Sequence, residues 1–274
     1  MLLAAFTISI LDACAKALTT ELPTSQVVFL RTLFALPAAL LICHFEGGIG
    51  SLRTHRWGWQ LYRSLLSAFT IFSFFWALVH IPLATALILI NLAPVFVALL
   101  SPLLLQESVN LRQWIGIGLA FCGVLFIFDP SATEEYLPIL ILIVAAVSYA
   151  LISISNRRLG GLETPGALAF YTLPASLTLG GALAVGEWVE PTTFAWGLAI
   201  VAGAAGGLAH YFFAVAFKYV EAARVAPLEY TSILWAALAG YVFWNEMPGT
   251  AIWLGGLAIV IGGYLSSSRV ATRE

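Results

Sequence analysis

Long apolar stretches separated by short polar segments run through the whole chain, and windows of about 20 residues predict ten membrane-spanning helices. These spans, numbered 1 to 10, cover residues 2–19, 25–45, 58–79, 83–105, 111–128, 136–155, 164–186, 194–217, 222–243 and 249–267. The segments between them are too short to hold a soluble domain. The pattern therefore predicts an all-α integral membrane protein with ten transmembrane helices.

The second half of the chain repeats the first at a constant offset, because Glu107 and Glu246 occupy matching positions and 246 − 107 = 139. The same offset relates pairs of identical small, apolar and aromatic residues: Ala84 and Ala223, Ala98 and Ala237, Leu99 and Leu238, Trp114 and Trp253, Gly116 and Gly255, and Gly123 and Gly262. Five spans per half is an odd number, so the second half enters the membrane from the opposite side. The sequence predicts two inverted five-helix repeats, residues 1–130 and 131–274. Many secondary transporters built this way bind their cargo near the bilayer midplane.

Composition agrees with a membrane location, since 61% of the 274 residues are hydrophobic and 9% are charged, against about 25% charged residues in soluble domains. The net charge of −2 is too small to indicate a partner. Cys14, Cys43 and Cys122 lie in apolar runs without the spacing of a disulfide framework or a metal site. We expect no metal, no cofactor and no nucleic-acid partner. The expected partners are a small-molecule substrate and membrane lipids.

The placement of lysine and arginine predicts the orientation, because positively charged loops stay in the cytoplasm. With the N-terminus inside, most basic residues fall on or near the cytoplasmic side: Arg53, Arg56, Arg63, Arg112, Arg157, Arg158, Lys218, Arg224, Arg269 and Arg273. Acidic residues gather toward the other side: Glu21, Asp129, Glu134, Glu135, Glu187, Glu190 and Glu246. Both termini are therefore expected in the cytoplasm.

Three charged residues lie within the first two spans, at a similar depth below the outer surface. Asp12 and Lys16 are four residues apart in span 1 and so share a helix face, and Arg31 lies in span 2. Charges inside a membrane normally pair with each other or face water. One interpretation is a cavity-lining pair that binds the ammonium and carboxylate of an amino acid, or a coupling proton. The other is a structural ion cluster that joins the two spans.

Span 9 carries an acidic residue about two turns inside the membrane, Glu229, two positions after Pro227. A proline removes a backbone donor and can kink a helix, which leaves a carbonyl free to line a cavity. Span 4 has its own proline, Pro94, and interrupted helices in corresponding regions of two repeats are typical of a transport site. Glu229 is therefore a candidate for proton coupling. The alternative is a static ion pair with Arg224 or Lys218.

Polar and aromatic residues of the central spans complete the candidate substrate-binding set: Trp76, Asn91, Tyr149, His210, Tyr230 and Trp235. Ring stacking and cation–π contacts from such side chains favour an aromatic or cationic cargo. His210 follows a glycine-rich stretch, residues 203–207, that allows close helix approach. It is a proton relay or a ligand, or else a histidine satisfied between helices. Each aromatic residue alone is more often a packing residue than a ligand.

The sequence contains none of the common catalytic motifs, such as HExxH, GxSxG or a phosphate-binding loop. Glu107 and Glu246 lie on opposite faces of the membrane in the inverted topology and cannot act as a catalytic pair. Each is expected to accept hydrogen bonds from backbone amides, at the start of span 5 or of span 10. The chain is therefore predicted to be a transporter and not an enzyme.

Several short segments, present in both halves, form one pattern. They are residues 82–86, 91–96, 105–107 and 113–116, their counterparts at 221–223, 245–246 and 253–256, and Lys16 with Phe29-Leu30-Arg31. Together these segments resemble the EamA family of the drug/metabolite transporter superfamily. The resemblance implies ten helices, alternating access, and movement of small metabolites, frequently export, across a bacterial inner membrane.

Within that family the chain is similar to amino acid exporters of the YddG type, which implies outward movement of aromatic and other neutral amino acids. The alternative is import of a nucleoside-like or cationic metabolite such as S-adenosylmethionine. The second half departs from the common pattern at Ile233, which replaces the proline that Pro94 supplies in the first half. Span 9 is therefore expected to bend at a different level from span 4.

Overall fold

The computed structural model describes residues 1–78, 80, 86, 89–107, 109–127, 136–244 and 250–267, and within these ranges all regular secondary structure is helical. The first half contains α1 (Leu2–Leu18), α2 (Thr24–Gly47), α3 (Trp57–Leu78), α4 (Ala93–Leu104) and α5 (Leu111–Ile127). The second half contains α6 (Tyr136–Leu159), α7 (Pro165–Phe170), α8 (Pro174–Ala184), α9 (Thr193–Tyr219), α10 (Ala222–Val225), α11 (Thr231–Trp244) and α12 (Thr250–Ser267). Short 3-10 helices cover Ile49–Leu52 and Ala226–Tyr230.

Four of the described helical segments are long and apolar enough to cross a membrane: α2, α6, α7 together with α8, and α9. The helix α4 and residues 253–265 of α12 are shorter apolar helices. Residues 83–85 and 87–88 of predicted span 4 lie outside the described residues. The same holds for several residues used in the sequence analysis: Pro82, Ala84, Asp129, Glu134, Glu135, Asn245, Glu246, Arg269 and Arg273.

Prolines break two of the predicted spans. In span 9, α10 ends at Val225, and Pro227 lies in the 3-10 helix that precedes α11. The interruption lies at the proline where the sequence predicted a kink. Span 7 was expected to be unbroken, but α7 ends at Phe170 and Pro174 begins α8. A proline has no amide hydrogen, and its ring clashes with the preceding turn, so the helical hydrogen-bond ladder stops before it.

The helices α5 and α12 cross through glycines that the sequence repeat relates. A β-carbon on Gly123 would lie 2.5 Å from the carbonyl oxygen of Gly255, and one on Gly262 would lie 2.5 Å from the carbonyl oxygen of Gly116. The repeat offset converts the first contact into the second, because it pairs Gly123 with Gly262 and Gly116 with Gly255. The repeat is therefore present in space as a reciprocal helix crossing.

Each half packs its first helix against the other half. The helix α1 contacts α9 and α11, while α6, its counterpart in the repeat, contacts α3 and α4. A core cluster joins these helices through Ala4 of α1, Val97 of α4, Ala150 of α6 and Phe217 of α9, all of which are buried. The seam between the halves therefore runs through the centre of the protein.

Candidate functional site

A cavity of about 210 Å³ lies at this seam. Its wall comes mainly from α1, α2, α3, α4, α6, α9 and the 3-10 helix Ala226–Tyr230. Aromatic rings from both halves, among them Phe74, Phe75 and Phe213, make much of the wall apolar. Both halves also contribute polar side chains: Asp12, Arg31, Arg63, Asn91, Tyr149, Asn156, His210 and Glu229. The cavity thus combines rings with charged and hydrogen-bonding groups.

Asp12 and Arg31 place opposite charges on the cavity wall. Asp12 is exposed although α1 packs between α9 and α11, because its side chain lines the cavity. The guanidinium carbon of Arg31 lies 6.0 Å from the ring centre of Phe75. Within the described residues, neither charged side chain forms a hydrogen bond or a salt bridge. The two charges attract each other, and both side chains border the space that a polar cargo would fill.

Glu229 is a buried acid beside the cavity, with 6% of its surface exposed. The hydroxyl of Tyr149 lies near its carboxyl group and interacts with it, while Oε1 of Glu229 is buried without a hydrogen-bond partner among the described residues. The two predicted static partners lie elsewhere, since Arg224 pairs with Glu221 at 3.6 Å and the Lys218 ammonium lies 5.7 Å from the Tyr219 ring centre. Among the described residues, Glu229 therefore interacts with a neutral hydroxyl and with the N-terminal ammonium of Met1, and not with a basic side chain.

Arg63, predicted on or near the cytoplasmic side only from its charge, is a buried residue of the cavity wall. It is only 1% exposed. Its guanidinium donates to Oε1 of Gln60 at 2.9 Å, to Oδ1 of Asn156, to the Leu168 carbonyl at 3.1 Å and to Oγ1 of Thr172 at 3.4 Å. A count of loop charges cannot separate a loop cation from one inside a helix. Its position inside predicted span 3 was the available signal, because intramembrane charges mark polar sites.

Hydrogen bonds join the halves at both ends of the bundle. At one end, Glu107 pairs with Arg157 and accepts a hydrogen bond from the amide of Ala222 at 2.9 Å. Glu107 therefore accepts from the first residue of α10, and not from the start of span 5 as predicted. At the other end, the Gln26 side chain donates to the Val189 carbonyl at 2.6 Å and accepts from its amide at 3.0 Å.

The structure brings five of the predicted site residues together in the cavity wall: Asp12, Asn91, Tyr149, His210 and Glu229. Four others are not among the residues that line it: Lys16, Trp76, Tyr230 and Trp235. Ser67, Thr70 and Ser153 line the cavity as well, and no signal separated these small polar residues from others in the spans.

The three aromatic residues that lie away from the cavity do so for visible packing reasons. Tyr230 is fully buried and packs with Ala120 and Ile259, because neighbouring residues of a 3-10 helix point about 120° apart and Glu229 faces the cavity. Trp76 stacks on His80 with ring centres 4.2 Å apart. Trp235 meets Phe6 edge to face at 5.0 Å and is 37% exposed. Lys16 lies one turn beyond Asp12 on α1.

The model of the EamA-like transporter family matches two segments of the chain, residues 1–129 and 136–268. The chain belongs to the EamA-like transporter family. Because members of the family are transporters, this EamA protein is a membrane-spanning transporter and not an enzyme. A solved crystal structure has the same fold, with a TM-score of 0.82 at 19% identity over 96% of this chain and 94% of that chain. The predicted fold class is confirmed.

Relatives of this EamA transporter are named for different cargoes. The chain is 29% identical to an S-adenosylmethionine uptake transporter of Rickettsia prowazekii, over 94% of this chain and 88% of the relative. It is 30% identical to the pseudopaline exporter CntI of Pseudomonas aeruginosa, over 94% and 91%. It is 28% identical to a riboflavin transporter of Vibrio cholerae, over 95% and 89%. Since these names include both uptake and export, family membership alone sets neither the cargo nor the direction.

Proposed function

We propose that this EamA transporter carries a small zwitterionic metabolite of the amino-acid type through the cavity between its halves. The observation that supports the proposal is that charges of both signs line one cavity, where Asp12 and Glu229 share the wall with Arg31 and Arg63. Charged side chains at membrane depth normally pair or face water, and a free amino acid offers both an ammonium and a carboxylate. Its ammonium suits Asp12 and its carboxylate suits Arg31, whereas the Arg63 guanidinium already donates to protein groups.

The size and lining of the cavity favour a cargo of amino-acid size with an apolar side chain. Its volume of about 210 Å³ is below the roughly 300–1,000 Å³ of sites for drug-sized ligands. Phe74, Phe75 and Phe213 offer ring faces and edges for an aromatic or aliphatic group. Phenylalanine and other neutral amino acids meet both conditions, and we propose export as the direction.

The second candidate is import of a nucleoside-like or cationic metabolite such as S-adenosylmethionine. The Rickettsia prowazekii relative carries that name. In this chain, the two acids Asp12 and Glu229 favour a cation in addition to an amino-acid group. The larger volume of a nucleoside makes this the less favoured cargo.

We further propose that both termini are cytoplasmic in a bacterial inner membrane. Arg157 and Lys218 lie together at the end of the bundle where Glu107 joins the halves, and positively charged ends face the cytoplasm. In alternating access, one half rocks against the other around a central site. The Glu107 contacts with Arg157 and Ala222 would open on the cytoplasmic side, and the Gln26 contacts with Val189 would open on the outer side.

Counterflow in liposomes tests the cargo. Vesicles containing purified protein are loaded with unlabelled phenylalanine, threonine or S-adenosylmethionine, and uptake of the same labelled compound is followed. We expect uptake of phenylalanine and threonine above that of protein-free vesicles. Uptake of S-adenosylmethionine alone would reject the amino-acid proposal in favour of the second candidate.

Proton coupling is tested by Glu229→Gln, which keeps the shape of the side chain but removes the exchangeable proton. If Glu229 carries the coupling proton, transport by the wild type depends on pH and transport by the variant does not. The measurement is counterflow between pH 5 and pH 8. Glu221→Gln, which alters the pair with Arg224 outside the cavity, is the control and should keep the wild-type profile. An unchanged profile in Glu229→Gln would assign Glu229 a structural role.

A further inference from the structure

A layer of hydrogen bonds around Arg63 lies where the cavity meets the end of the bundle at which Glu107 joins the halves, the Glu107 end. The lining residues of α3 run from Arg63 to Phe75, and those of α6 run from Tyr149 to Asn156. Because α3 begins and α6 ends at the Glu107 end, Arg63 and Asn156 are the lining residues of these helices nearest to it. A buried apolar cluster lies farther toward that end: Leu159, Leu168 and Ala214, with Trp59 packed against them. In the described part of the chain, a polar layer and an apolar layer therefore separate the cavity from the Glu107 end.

The hydrogen bonds of Arg63 connect the two halves of the protein. From α3, its guanidinium donates to Oδ1 of Asn156 on α6 and to the Leu168 carbonyl on α7 at 3.1 Å. It also donates to the hydroxyl of Thr172, between α7 and α8, at 3.4 Å. Arg63 belongs to the first half, and all three acceptors belong to the second. Rocking of the halves that opens the cavity at the Glu107 end must therefore break these bonds.

The charge of Arg63 is held by neutral groups. Within the described ranges, no carboxylate forms a salt bridge with it, and the acceptors of its guanidinium are amide, carbonyl and hydroxyl oxygens. A buried charge is costly unless it is hydrogen-bonded. The guanidinium needs these acceptors while the Glu107 end is closed, and water replaces them when that end opens. Such a contact can form and break once in each transport cycle.

The internal repeat provides the same helix crossing without an arginine. The repeat offset relates Trp57 to Trp196, so it aligns α3 with α9 and matches Arg63 with Ala202. Alanine has no side-chain donor. There α9 packs directly on α2, where a β-carbon on Gly207 would lie 3.0 Å from a backbone carbonyl oxygen. The fold therefore does not require an arginine at this crossing, and the Arg63 layer makes the two ends of the bundle unequal.

We infer that Arg63 is a positioning residue that closes the cavity at the Glu107 end and favours the conformation closed there. The inference rests on the proposed rocking of the halves and not on the identity of the cargo. A hydrogen bond to a charged group corresponds to about tenfold or more in an equilibrium constant. Loss of Arg63 should therefore raise the population open at the Glu107 end by about tenfold or more.

The test measures from which side of the membrane a thiol in the cavity can be reached. The reporter is Ser232→Cys, because Ser232 lines the cavity, in a full-length chain whose three natural cysteines are replaced by alanine. Right-side-out and inside-out membrane vesicles are treated with a membrane-impermeant methanethiosulfonate reagent. His55→Cys, in the exposed loop before α3, shows which face carries the Glu107 end. We expect Arg63→Met to raise the labelling rate about tenfold or more from the Glu107 face, and not from the other face.

The matched control is Gln60→Met, because Gln60 is also buried on α3 but bonds to Arg63 within the same helix. It should keep the labelling rates of the reporter protein. Asn156→Ala keeps the guanidinium, removes an acceptor across the halves, and should act in the same direction as Arg63→Met. Gln26→Met removes the contacts with Val189 at the opposite end and should raise labelling from the opposite face.

A residue with only a structural role would give a different pattern. If Arg63→Met and Asn156→Ala raise labelling equally from both faces, or leave it unchanged, the inference is overturned. Labelling needs no cargo, so it is independent of the proposed substrate. Absence of phenylalanine counterflow together with the expected labelling would reject the cargo and keep the role of Arg63. Counterflow together with unchanged labelling would reject the role of Arg63 alone.

Discussion

Gly123→Ala is expected to destabilise the protein by about 1–3 kcal/mol, the usual cost of forcing an extra methyl group into a packed contact. The new β-carbon would lie 2.5 Å from the Gly255 carbonyl oxygen and 3.0 Å from the β-carbon of Ala258. The obstacle is backbone, which cannot rotate away as a flexible side chain can, so α5 and α12 must move apart. The loss of stability is measured as a lower unfolding temperature in detergent, with the folded fraction after heating determined by size-exclusion chromatography.

Gly118→Ala is the matched control, because Gly118 lies on the same helix and a β-carbon there meets nothing within 4 Å. The control should keep or gain stability, since alanine is favoured over glycine in a helix by up to about 1 kcal/mol. The repeat adds a second condition: Gly262→Ala should reproduce the loss, because its β-carbon meets the Gly116 carbonyl oxygen at 2.5 Å. Equal stability of Gly118→Ala and Gly123→Ala would contradict the close crossing.

Much of the fold could be predicted from the sequence, because its signals are local or periodic. Apolar runs of membrane length predict helices without reference to tertiary contacts, and the glycine pairs at the repeat offset lie where α5 and α12 cross. The break before Pro174 was missed for a different reason. Proline is tolerated in membrane helices when neighbouring groups satisfy the freed backbone, so its presence alone does not predict a break.

The candidate site was predicted only in part, because a sequence does not show how each helix is rotated about its axis. Glu229 and Tyr230 are adjacent, yet one lines the cavity and the other packs against α5 and α12. Intramembrane charge was the better guide, since Asp12 and Glu229 line the cavity while Trp76 and Trp235 do not. Charge is costly in a membrane wherever it has no polar surroundings, whereas a tryptophan is stable in a cavity wall, in a helix interface or against lipid.

Asp12→Asn is expected to impair transport strongly while leaving the fold intact. Asparagine keeps the shape of the side chain but removes the charge that we assign to the cargo ammonium. A hydrogen bond to a charged group contributes about 1.5–3 kcal/mol, and each 1.4 kcal/mol is about tenfold in affinity, so KM for phenylalanine should rise roughly 10- to 150-fold. The measurement is concentration-dependent counterflow, with protein content and unfolding temperature determined on the same sample.

The two interpretations of Asp12 predict opposite stabilities. In a cavity site, the charge of Asp12 serves the cargo and not the fold, so Asp12→Asn should keep or raise the unfolding temperature. In a structural ion cluster with Arg31, loss of one partner would leave the other buried without its counter-charge and lower the unfolding temperature. Glu21→Gln is the control, because Glu21 accepts a hydrogen bond from Thr192 at 2.9 Å at the surface, away from the cavity. A lowered unfolding temperature with unchanged KM in Asp12→Asn would remove Asp12 from the binding site, because the side chain would then join α1 to α2 without touching the cargo.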